Sequence, residues 1–91
     1  MINNIINDID YTVSIIPKRV YERYVDKYKK YIKGKSEYED YSLIEYLPRN
    51  KEFYVLEDSL SGNETGYEEY CFSIATTYKG MYFIITDRGS N

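Results

Sequence analysis

The apolar positions of the chain alternate between a helical and a strand-like period. Ile2, Ile5, Ile6 and Ile9 recur at helical spacing and predict a short N-terminal helix. In the next stretch, DYTVSII, Tyr11, Val13 and Ile15 alternate with Thr12, Ser14 and Ile16, which is a strand pattern. Pro17 closes that strand and opens the strongest helical segment, PKRVYERYVDKYKKYIKG, residues 17–34. Tyr21, Tyr24, Tyr28 and Tyr31 form one stripe there, while Arg19, Arg23, Asp26, Lys27, Lys30 and Lys33 fall away from it. Pro17 suits a first helical turn, and Gly34 suits the left-handed residue just past a helix end.

The second half reads mostly as strands. Ser36 with Glu39 has the spacing of a capping box, so a second helix is expected over 37–46. The competing reading puts a strand at 43–47 and a turn at Pro48-Arg49-Asn50. EFYVLE, residues 52–57, is β-rich; DSLSGNETG, residues 58–66, has the composition of a loop. Residues 67–77 alternate, with Tyr70, Phe72, Ile74 and Thr76 on one face. Tyr78-Lys79-Gly80 is a tight turn into a last strand over 81–86, and 87–91 is expected to fray.

The expected architecture is therefore α+β in one domain over residues 1–91. An antiparallel sheet of three to five strands would carry one long amphipathic helix, 17–34, on one face. Its expected core is Val13, Ile15, Val25, Tyr28, Ile32, Val55, Phe72, Ile74, Phe83 and Ile85.

Charge changes this picture more than length does. The net charge is −3, but residues 18–35 hold eight Lys or Arg against Glu22 and Asp26, while the rest holds four against thirteen carboxylates. A basic helix on an acidic body steers encounters with charged partners. Ile, Lys, Asn and the thirteen tyrosines are all read from AT-rich codons, which suits a low-GC bacterium or its viruses. Residues 1–10 lack a basic start and a long apolar run, so no signal peptide is expected. No apolar stretch approaches bilayer length, and the single Cys71 fits a reducing cytoplasm.

Catalytic chemistry is poorly supplied. With no histidine, the commonest general base and metal ligand is missing. One cysteine cannot make an ordinary zinc site, and no glycine-rich phosphate loop is present. Residues 57–68 match calcium-loop spacing, but with Glu at the first position and too few carboxylates. A non-enzyme without metal or cofactor is expected.

Two surfaces remain as candidates. The acidic one interleaves carboxylates with tyrosines: Glu37, Glu39, Asp40 and Tyr41, then Glu64, Tyr67, Glu68 and Glu69. Such a surface could occupy the basic groove of a nucleic-acid-binding effector, with tyrosine as interface anchor. The basic one, Arg19, Arg23, Lys27, Lys30 and Lys33, would meet phosphates of nucleic acid. A homodimer paired through the tyrosine stripe is a third option.

The opening MINNIINDIDYTV looks like the start of a small phage-encoded Cas9 inhibitor. The chain also resembles anti-CRISPR proteins in type: short, acidic, tyrosine-rich and without catalytic motifs. The order after residue 13 departs from that inhibitor, and no functional residue is carried over. The resemblance implies inhibition of a defence nuclease by binding it, in the cytoplasm of the host. Of the two surfaces, the acidic one is the preferred binding face, and the basic helix the structural spine.

Overall fold

The computed structural model describes residues 11–62, 66 and 68–90. The expected helix over Ile2–Ile9 lies outside the described residues, as do Glu64 and Tyr67. Five strands form one antiparallel sheet: β1 (Tyr11–Ile16), β2 (Lys30–Ile32), β3 (Glu52–Gly62), β4 (Glu68–Tyr78) and β5 (Met81–Ser90). Their order across the sheet is β1-β5-β4-β3-β2. Two short helices complete the fold, α1 (Lys18–Lys27) and α2 (Ser42–Glu45). The α+β expectation therefore holds in outline.

The long helix does not. Residues 17–34 divide into α1 and β2. Tyr28 closes the last turn by donating its N–H to the Tyr24 carbonyl, and its own backbone is extended. Topology supplies the reason. β1 and β2 lie at opposite edges of the sheet, and Pro17 to Lys29 must join them. Five strands span ~19 Å at the usual spacing. Ten helical residues cover ~15 Å and eighteen would cover ~27 Å, which overshoots the edge. A continued helix would also crowd Lys29 against Lys33 at (i, i+4). As a strand, the same segment pairs Tyr31 with Phe53 and sets Lys30 within 3.7 Å of Glu52.

The chain covers both faces of the sheet. α1 crosses one face, where Tyr21, Tyr54 and Ala75 are buried and Tyr24, Tyr28, Leu56 and Tyr82 pack around them. The tyrosine stripe thus does cover the sheet, as far as Tyr28. The Tyr21 ring lies 4.9 Å from that of Tyr82 and 5.8 Å from that of Tyr54.

Residues 33–51 cross the opposite face. Leu43, Ile44 and Leu47 are buried there against Phe53, Phe72, Ile74, Phe83 and Ile85. A run of rings, Phe53, Tyr31, Tyr38, Tyr41 and Phe72, continues this core, with neighbouring centroids 4.4–5.7 Å apart. The expected second helix over 37–46 shrinks to the single turn of α2, preceded by turns, and no strand forms at 43–47. The Ser36–Glu39 pairing does form, but it closes a turn instead of a helix. The Glu39 carboxylate accepts hydrogen bonds from the Gly34 and Ser36 N–H groups and the Ser36 hydroxyl.

The core expected from sequence needs correction at its edges. Phe72, Ile74, Phe83 and Ile85 are buried, but Ile15 is 70% exposed and Val13 36%. Both sit on edge strand β1, beyond the residues of the 33–51 crossover that seal the centre. Val25 is exposed on the flank of α1, and Tyr28, Ile32 and Val55 are half-buried.

Two segments expected to be irregular are strand. Residues 58–62 extend β3, and 87–90 extend β5. The ladder continues from Asp58↔Phe72 out to Gly62↔Glu68, while Asp87 to Ser90 pair with Phe72 to Glu69. The turn between β4 and β5 matches its expectation: Lys79 and Gly80 both have positive φ, 50° and 78°, as a two-residue hairpin loop of the primed type requires.

Candidate partner-binding surfaces

The sheet is longer than its covers. On β3, Phe53 and Tyr54 are buried, Val55 and Leu56 half-buried, and every residue from Glu57 to Gly62 exposed. On β4, burial begins only at Cys71. The far end of the β3–β4 hairpin therefore projects as a blade beyond α1 and beyond most of the 33–51 crossover. A β-bulge sits at its base, where the register jumps from Val55↔Ile74 to Glu57↔Ser73 and leaves Leu56 as the extra residue.

The bulge decides which side chains face where. Glu57, Ser59 and Ser61 fall on the α1 side of the sheet, level with Ser73, Cys71 and Glu69. Glu57, Ser59, Ser61, Glu69 and Cys71, with Arg88 of β5, line an open groove of about 560 Å³ that α1 does not reach. Arg88 Nη2 donates weakly to Cys71 Sγ at 3.8 Å, and Ser73 shares a 3.0 Å hydrogen bond with Thr86 below. Asp58 and Leu60 fall on the other side, opposite Phe72 and Tyr70. There a hollow of about 230 Å³ is lined by Tyr41, Asp58, Leu60, Tyr70, Phe72 and Asp87. Leu60 is 71% exposed and Tyr70 39%.

The blade is acidic. Glu57, Asp58, Glu68 and Glu69 project from β3 and β4, against Arg88 on β5. Aromatic and aliphatic groups sit among them, the usual make-up of an interface anchor inside a charged rim.

The acidic residues expected from sequence do not all reach this surface. Glu68 and Glu69 lie on the blade. Tyr41 reaches its base: the ring packs 4.4 Å from that of Phe72 and the hydroxyl donates to Asp58 at 3.1 Å. Burial and the nearby Asp58 carboxylate push the Tyr41 phenol pKa up. Glu37 and Asp40 are exposed on the crossover. Glu39 is committed inside its turn, where the Ser36 hydroxyl and two backbone N–H groups hold its pKa below the usual carboxylate value. Its carboxylate holds the turn together.

Glu57, Asp58, Leu60 and Arg88 lie on this surface but are not among the residues the sequence nominated for it. Residues 58–66 have loop composition, and the bulge shifts the phase of alternation between Val55 and Glu57. The signal lies in pairing: Leu60 alternates with Asp58 in step with Tyr70 and Phe72, and this shows only once the strands are aligned.

The basic face also divides. Arg19, Arg23 and Lys27 are exposed at (i, i+4) spacing on the outer side of α1. Lys30 has moved to the edge strand beside Glu52. Lys33 is a structural tie: its ammonium donates to the carbonyls of Glu45 and Leu47 at 2.8 and 3.0 Å and anchors the end of α2. The five cations expected on one helix face are reduced to three.

Among the described residues no cluster of His, Cys, Asp and Glu is arranged to hold a metal ion, and no helix is long and apolar enough to cross a membrane. No protein-family model matches the chain, and no curated protein and no solved structure matches it.

Proposed function

We propose that the protein acts by binding and not by catalysis, as an inhibitor that docks its acidic β3–β4 blade into a basic site of a nucleic-acid-handling protein. The observation that carries this reading is the blade itself. Four carboxylates and the exposed pair Leu60 and Tyr70 share a hairpin that, among the described residues, extends beyond α1 and beyond most of the 33–51 crossover, with Tyr41 reaching Asp58 at its base. Carboxylates on a rigid sheet mimic the charge spacing of phosphates, and the ring and the leucine supply desolvated contact. The resemblance of residues 1–13 to an anti-CRISPR opening makes a defence nuclease the first target class to try. On this reading the protein is encoded by a phage or mobile element and works in the host cytoplasm.

Affinity capture from host lysate tests it. Wild type should retain a basic partner in a 1:1 complex that high salt releases, and Glu57→Lys/Glu68→Lys/Glu69→Lys should lose it. Equal retention by both proteins would contradict the assignment of the surface.

Self-association is a second reading, favoured by β1. Ile15 and Val13 are exposed on an edge strand that carries no charged residue. Sedimentation velocity separates the two: a monomer across micromolar concentrations contradicts self-association. Nucleic-acid binding by α1 retains only the row Arg19, Arg23 and Lys27, and a gel shift at low salt tests it.

A further inference from the structure

β3 is eleven residues long, yet β2 pairs with only its first three, Glu52 to Tyr54. β4 lies along its inner side as far as Gly62. Among the described residues no strand runs along the outer side of β3 from Leu56 to Gly62. Among the described residues the lane is open because Lys30 begins β2 opposite Tyr54, and the chain before it, Tyr28 and α1, turns onto the face of the sheet. A strand edge of this kind holds outward N–H and C=O groups in the spacing a further strand needs.

We infer that this lane receives an extended, basic segment of the partner protein as a sixth strand, in line with β2. The inference rests on the binding reading above and specifies how the blade binds. Charge selects the occupant. A residue opposite Glu57 shares the groove side with Glu57 and Glu69, and a residue opposite Asp58 shares the side of Tyr41. Both positions suit Lys or Arg. The position opposite Leu60 suits an apolar side chain, since Leu60 is exposed. The same charges select against a second copy of this chain. Two β3 edges would bring two copies of Glu57 and Asp58, four carboxylates, into one strand pair. Nucleic acid is repelled for the same reason. The bulge at Leu56 breaks the β3–β4 register at the point where the lane begins.

The test uses the whole protein and two synthetic probes of equal charge, acetyl-Lys-Val-Val-Val-Lys-Lys-Val-amide and acetyl-Lys-Pro-Pro-Pro-Lys-Lys-Pro-amide, the paired lysines matching Glu57 and Asp58 in an antiparallel strand. Proline supplies no N–H and cannot join a ladder. The valine peptide should bind about tenfold or more tightly than the proline peptide, because main-chain hydrogen bonds supply the affinity in strand addition. Its binding should slow amide exchange within Glu57–Gly62, and Glu57→Lys should weaken it. Equal binding of the two peptides would overturn strand addition while leaving a purely electrostatic acidic surface in place. Slowed exchange along β1 in place of β3 would overturn it, and so would binding of neither peptide. In that last case the wider reading is still decided by charge reversal in the capture experiment.

Discussion

The ring of Tyr70 on β4 lies directly over Gly89 of β5, so close that a Cβ built at Gly89 would stand 2.6 Å from the Tyr70 hydroxyl. The two residues are paired in register, and the ring fills the space a side chain would take. Gly89→Ala should displace the ring and cost about 1 kcal/mol in urea unfolding. In a Tyr70→Ala background the same change should cost nothing or gain up to ~1 kcal/mol, because alanine is the better strand residue. Additive effects would show that the ring does not depend on the glycine.

Alkaline pH should reveal the phenols packed on both faces of the sheet, Tyr21 on α1 and Tyr38 in the 33–51 crossover. Burial, with Tyr54, Glu52 and Tyr82 nearby, pushes the Tyr21 phenol up to about 12. Burial and a hydrogen bond with Tyr31 do the same to Tyr38, also about 12. A raised folded value favours the neutral phenol. The stability tied to it is therefore full below pH ~10, the ordinary tyrosine value, and is lost as pH rises through about 12. Phenolate absorbance should show a late fraction that ionises together with loss of the near-ultraviolet dichroism. Tyr21→Phe should shrink that fraction. A single titration at the ordinary value would contradict the packing of α1 on Tyr54 and Tyr82.

Acid should act on the turn at Gly34–Glu39. The Ser36 hydroxyl lowers the Glu39 pKa most; burial, the next largest effect, raises it, and the Gly34 and Ser36 amides and the Lys33 charge bring the balance down. A lowered folded value gives stability that is present above the ordinary carboxylate range and lost as pH falls through the folded value. Glu39→Gln should therefore be less stable than wild type at neutral pH and equal to it in strong acid. A constant gap from neutral to acid pH would show that the charge is not what holds the turn.

The corrected core is tested by a pair of substitutions. Leu43→Ala removes a fully buried side chain and should cost about 2–5 kcal/mol. Ile15→Ala changes an equally large side chain that is 70% exposed and should cost under ~1 kcal/mol. The reverse order would return β1 to the core and Leu43 to the surface.

The reason those two residues were hard to rank lies in topology. Alternation in DYTVSII identifies a strand, but nothing local says that β1 lies at the edge of the sheet. Leu43, Ile44 and Leu47 have helical spacing over a single turn, too short a run to say what they face, and they become core because the 33–51 crossover lies over Phe53 and Phe72. The β4–β5 hairpin was legible because Lys79-Gly80 must turn and its strands alternate cleanly. The length of α1 was not, since Tyr31 and Ile32 fit a helical stripe as well as a strand, and pairing with Phe53 and Glu52 decided for the strand. Of the candidate acidic surface, Glu68, Glu69 and Tyr41 were legible as residue types. The bulge that brings Glu57, Asp58 and Leu60 beside them is a property of the paired strands.

Charge reversal on the blade and on the helix, read in one capture assay, tests the central claim most directly. One variant carries Glu57→Lys, Glu68→Lys and Glu69→Lys; the other carries Arg19→Glu, Arg23→Glu and Lys27→Glu. All six residues are exposed, so both variants should fold. The blade variant should lose the partner and the helix variant should keep it. Loss by the helix variant with retention by the blade variant would contradict the account and move the binding face to α1.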